Sequence, residues 1–127
     1  SAEVIHTSTH GGAPLPCAAA IATLDAVRRA RLDHRANEVG QRVRQAWAND
    51  LADVDHVVDV RGVGMMTGIE LTSASSCQQA ARELLSRGYL TLTGGREGNV
   101  LTLTPALNID EDLLLDFGTA VREVLQA

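Results

Sequence analysis

The sequence predicts an α+β domain: a small antiparallel sheet of about four strands with helices packed on one face. Three observations carry that expectation. The stretch Val39, Val43, Trp47, Leu51 repeats an apolar residue every four positions among Glu38, Gln41, Arg42, Arg44 and Gln45, the pattern of an amphipathic helix. Two further stretches, Tyr89–Thr93 and Val100–Thr104, alternate apolar residues with threonine and are joined by Gly94-Gly95-Arg96-Glu97-Gly98-Asn99, which is how a β-hairpin reads. The predicted elements also group as helix, helix, two strands, helix, two strands, helix. That order favours an antiparallel sheet with segregated helices over a wound parallel one.

Residues 1–14 read as an N-terminal loop segment, and 15–127 as a single domain. From His6 to Pro16 the chain reads HTSTHGGAPLP, too rich in hydroxyls, glycine and proline for helix or strand. Pro14 and Pro16 preset φ for a helix start, and the alanine-rich run after Cys17 extends that helix from Leu15 or Pro16 to near Arg31, with Cys17, Ile21, Leu24 and Val27 on one face. The second helix closes at Asn49 and Asp50, and Asp53 to His56 is a turn. Val58 and Val60 then alternate with Asp59 and Arg61, and Val63 to Leu71 continues as an apolar, glycine-studded strand of a bulged hairpin. Ser75 with Gln78 has the spacing of a capping box for a third helix that stops at Gly88. In the second hairpin, leucines 90, 92, 101 and 103 are expected to face the core and Thr91, Thr93, Thr102 and Thr104 the other side. Asp110, Glu111 and Asp112 suit the positive end of a last helix whose apolar face is Leu113, Leu114, Phe117, Val121 and Val124.

Composition narrows the function classes. With 127 residues and 45% hydrophobic content the chain can bury one ordinary core. Eleven basic against 16 acidic residues, net −5, disfavour nucleic acid and anionic membrane as partners. The three aromatic residues Trp47, Tyr89 and Phe117 make no stacking platform. Without a long apolar run or an export signal, a soluble cytoplasmic protein is expected. Cys17 and Cys77 lack the spacing of a metal knuckle or redox pair and read as buried free thiols. His6 and His10 stand four apart, but not on a helix and with no further ligand at a recognisable spacing, so no metal is expected. Gly62, Gly64 and Gly68 are spaced G-x-G-x-x-x-G and lead into a strand, which fails the dinucleotide fingerprint. All 11 basic residues are arginine and lysine is absent.

Ser8, Thr9, Gly11 and Gly12 put hydroxyl donors beside bare backbone amides, the chemistry that cradles a phosphate; capping of the following helix is the alternative use of such hydroxyls. The run Ser8-Thr9-x-x-Gly12-x-Pro14-Leu15 also resembles the S-T-[FY]-x-G-N-P-L segment of class III aminotransferases, with His10 and Ala13 departing from it. VRGVGMMTGIEL and GNVLTLTPALNI resemble two segments of that family's C-terminal small domain, so the resemblance spans essentially the whole chain.

The resemblance implies pyridoxal 5′-phosphate (PLP) as cofactor, an amine or amino acid and a keto acid as substrates, and a homodimer. Ser8 and Thr9 would reach the phosphate bound in the neighbouring subunit. It also implies a large domain of the same polypeptide, carrying the lysine that anchors PLP. This chain cannot anchor the cofactor that way, because a guanidinium stays protonated and forms no Schiff base. Thr102 stands where the family often has an arginine that pairs with a substrate carboxylate, which makes it the candidate substrate-binding residue. Its alternative is an ordinary outward threonine of a strand. Two functions follow as expectations: the C-terminal domain of a PLP-dependent transaminase, inactive alone, or a stand-alone binding or dimerisation module of the same fold.

Overall fold

In the computed structural model residues 9–127 are described. The chain divides into two compact units, Ser1–Leu32 and Asp33–Ala127.

The first unit is built on α1 (Pro14–Arg29). Pro14 occupies the first helical turn, where its missing N–H costs nothing, so the helix starts there rather than at Leu15. It ends at Ala30, whose N–H bonds back to the Ala26 carbonyl, and Arg31 adopts a left-handed φ of 48°. The expected face of Cys17, Ile21, Leu24 and Val27 is not buried: no residue of α1 is, and Ile21 is 62% exposed. Helical periodicity gathers apolar side chains on one side, but burial needs a second surface. Cys17 is accordingly exposed, against the expectation of a buried thiol, whereas Cys77 is buried.

The second unit runs α2 (Leu32–Asp50, its first residue apart), β1 (Val57–Val63), β2 (Met66–Leu71), α3 (Ala74–Ser86), β3 (Leu92–Gly94), β4 (Val100–Leu103) and α4 (Glu111–Gln126). Its four strands form one antiparallel sheet in the order β1-β2-β4-β3. The chain is thus an α+β protein, as expected. Ile69, Leu71 and Leu101 of the sheet join Val39, Val43 and Trp47 of α2, Cys77, Ala80 and Leu84 of α3 and Leu114, Phe117 and Val121 of α4 in one buried cluster. Trp47 Nε1 donates to the Leu114 carbonyl at 2.9 Å, so the largest core side chain leaves no polar atom unpaired. Phe117 sits between the Trp47 and Tyr89 rings, with centroids 5.4 and 5.5 Å away.

Arg35 donates to the carbonyls of Leu107 and Ile109 at 2.7 and 2.6 Å and so pins the segment that leads into α4. The β1–β2 hairpin turns at Gly64, whose φ of 56° suits glycine. A Cβ on Gly40 of α2 would stand 1.9 Å from the Gly64 carbonyl oxygen, so helix and turn meet backbone to backbone.

Three local expectations are corrected. The cap of α3 is Ser73, whose Oγ accepts from the Ser76 N–H at 3.1 Å, two residues ahead of the anticipated Ser75. Val58 does not share a face with Val60, because the register shifts between Val57 and Asp59, and Val58 is exposed. The largest difference lies in β3. Its register pairs Leu92 with Thr102, Thr93 with Leu101 and Gly94 with Val100. Since partners in register share a face, Leu92 lies on the Thr102 side, opposite the buried Leu101. Leu90 and Leu92 are therefore 84% and 64% exposed instead of core-facing, and Thr93 takes the side of Leu101. Thr91 Oγ1 is buried there with no hydrogen-bond partner among the described residues.

Candidate functional site

The residues singled out in the sequence fall in both units. In the first, Ser8 and His6 lie outside the described residues. Thr9 is described and exposed, just ahead of a turn closed by the Ala13 N–H donating to the His10 carbonyl at 3.1 Å. Gly12 holds φ at 78° with nothing within 4 Å of where a Cβ would be, so glycine is needed there for its conformation and not for space. Ala13, the residue before α1, offers no side-chain cap, and the first turn has no acidic residue. A hydroxyl, bare amides and an uncapped positive helix end suit a phosphate group. They do not suit a covalent hold on a cofactor, since the sequence has no lysine. Among the described residues no three His, Cys, Asp or Glu gather as a metal site.

In the second unit Thr102 lies in a row across the sheet. Arg61 of β1 pairs with Gly68 of β2, Gly68 with Thr102 of β4, and Thr102 with Leu92 of β3. At ~4.8 Å per strand, Arg61 and Thr102 stand about 10 Å apart at Cα with no side chain between them. Gly94 flanks Thr102 on the other side, where a Cβ would fall 2.8 Å from the Thr102 Oγ1. The half-buried Thr102 thus has Gly68 opposite it on β2, and Leu92 opposite with Gly94 diagonally beyond on β3.

The row's cation is occupied. Arg61 Nη1 donates to Asp59 at 3.0 Å and to Glu70, and Glu70 also accepts from Asn99 Nδ2 at 3.3 Å. Asp59, with Glu70 beside it, pushes the Arg61 guanidinium further up from an already high pKa. Arg96 is 96% exposed at its side chain, near Glu97 at 4.0 Å, and belongs to no site.

Beyond the Leu92–Thr102 pair the two chains part, because β3 begins only at Leu92. The gap opens a cavity of about 530 Å³ lined by Tyr89, Leu90, Leu92 and Thr102 on the strand side and Leu113 and Phe117 of α4 beneath, among others. Sequence reasoning missed it. Its rim leucines alternate with threonine as core residues do, and the one signal pointing elsewhere was the short run of glycines that resets the register.

Compared with known proteins, residues 1–125 match the model of the family Aminotransferase class-III. The chain is 38% identical over 107 residues to acetylornithine aminotransferase 1 of Bordetella parapertussis, covering 84% of this chain and 26% of that relative. It is 32% identical over 121 residues to ornithine aminotransferase 1 of Staphylococcus saprophyticus, covering 95% and 29%. Among solved structures, acetylornithine aminotransferase from Elizabethkingia anophelis superposes with a TM-score of 0.83 at 30% identity, over 99% of this chain and 32% of that one. The chain thus spans between a quarter and a third of the length of these relatives.

Proposed function

The chain belongs to the class III aminotransferases, and we propose that it serves as the small C-terminal domain of a longer enzyme that moves an amino group from an amine or amino acid to a keto acid. The observation that carries this reading is a family match over residues 1–125 in a sequence with no lysine. The chemistry-bearing amine then has to come from a large domain of the same polypeptide.

Bound PLP would supply the electron sink for exchanging the amino group. This chain contributes positioning. Ser8 and Thr9 donate hydrogen bonds to the phosphate of a cofactor held by the neighbouring subunit of a homodimer, with the amides of Gly11 and Gly12 beside them. Thr102 borders the substrate. The fit rests on an exposed Thr9, an uncapped helix start and a Thr102 that Gly94 lets stand close to β3. Such an enzyme works in the cytoplasm with neither nucleic acid nor membrane as partner; among the described residues no helix is long and apolar enough to cross a membrane.

The test compares two polypeptides, each given PLP, an amine donor and a keto acid: the 127-residue chain and the full native gene product that contains it. Transfer by the full product and none by the chain is expected. A native product without a lysine-bearing segment, and without transfer, would leave a binding or dimerisation module instead.

A further inference from the structure

The cavity beside Thr102 has the size and lining of a small-molecule site. A volume of about 530 Å³ falls in the range of ligand pockets. None of its twelve lining residues is charged: seven are Tyr, Leu or Phe side chains, and Ile109 and Pro105 add further apolar wall. Its hydroxyls are those of Tyr89, Thr102 and Thr104, few polar points in an apolar wall. Leu90, Leu92 and Leu113 stand 84%, 64% and 55% exposed around it, so the rim as well as the wall is apolar.

Charge decides what that occupant is. A carboxylate placed here would lose water and gain no cation from this chain, since none of its arginines lines the cavity. The one arginine in the Thr102 row, Arg61, already serves two carboxylates, Asp59 and Glu70. That trio carries one net negative charge, which repels a further anion.

We propose that this cavity binds an uncharged, apolar group of a small molecule. In its second part the proposal rests on the transamination reading above: the amine or carbonyl compound handled by the enzyme carries an uncharged aromatic or aliphatic end at Thr102, not a carboxylate.

A matched pair of probes tests the site on the 127-residue chain: indole, and indole-3-carboxylate with the same ring and one negative charge. Saturable 1:1 binding of indole is expected, followed by amide chemical shifts centred on Tyr89 and Phe117, with the carboxylate at least tenfold weaker. Leu113→Glu puts a charge on an exposed position in the first turns of α4, and Leu92→Glu does so on the edge strand. Each should weaken indole at least tenfold while leaving Tm near that of the wild type. No saturable indole binding, equal binding of the carboxylate, or indifference to both variants overturns the site. In the complete enzyme, kcat/KM for an amine with a phenyl end should exceed that for one with a carboxylate end at least tenfold, and Thr102→Arg should narrow the ratio. An equal or reversed ratio overturns the substrate class. Absence of any transfer beside intact indole binding removes the transamination reading and leaves the cavity as a binding site.

Discussion

Gly118 of α4 lies directly against the indole of Trp47 on α2: a Cβ at this position would stand 2.4 Å from Cδ1 and 2.6 Å from Nε1. The ring cannot yield, because it is 2% exposed and held by its bond to the Leu114 carbonyl.

Gly118→Ala therefore destabilises the protein although alanine is the better helix former by about 1 kcal/mol. Overpacking of about 1–3 kcal/mol outweighs that gain. Chemical denaturation measures it, and a variant as stable as the wild type would show that the two helices part freely.

Thr91→Val removes a buried hydroxyl with no partner among the described residues and keeps the shape of the side chain. A lone buried polar group costs about 1–3 kcal/mol, so the substitution should raise stability by on the order of 1 kcal/mol. If the midpoint falls, Thr91 has a hydrogen bond in solution and the register of β3 is open to revision.

Acid should loosen the contacts that tie α4 to α2 and to the turn before β1. Arg42 donates to Glu111 at 3.0 and 2.7 Å, and Arg122 to Asp53 at 2.6 Å twice. These bonds hold both carboxyls below their ordinary pKa. A depressed folded-state pKa means that the stabilisation is complete above the unfolded-state value and is lost as pH falls through the range below it, from about pH 4.5 downward. Wild type and an Asp53→Asn, Glu111→Gln double variant should differ in Tm at pH 7 and converge toward pH 3. A gap that stays constant over that range would refute the assignment.

The two thiols should separate by reactivity. Cys17 is exposed and Cys77 buried, its pKa pushed up by desolvation. A thiol reagent is expected to titrate one cysteine in the native chain and two after denaturation. Fast reaction of both would mean that α3 opens readily.

In the complete dimeric enzyme, Thr9→Ala should remove a hydrogen bond to a charged oxygen, worth about 1.5–3 kcal/mol, and weaken PLP roughly ten- to a hundredfold. The dissociation constant is measured with subunit assembly followed in parallel. An unchanged constant in an intact dimer leaves Thr9 as part of a helix entry.

What the sequence by itself determined is the order and type of the elements, and the places where chemistry could sit. The four-residue repeat marked α2 and its inner side, since Val39, Val43 and Trp47 are buried on the helix and Leu51 just past its end. Ser8, Thr9 and Thr102 stood out through short stretches of chain whose residue order is itself the signal. Tertiary structure decided which faces are covered. Period two says that Leu90 and Leu92 share a side, but the side is chosen by pairing with β4, where Leu92 meets Thr102. That choice exposed two leucines, buried Thr91 Oγ1 and opened the cavity. The apolar side of α1 shows the same limit, for a stripe along one helix states what can be buried and only a second surface buries it.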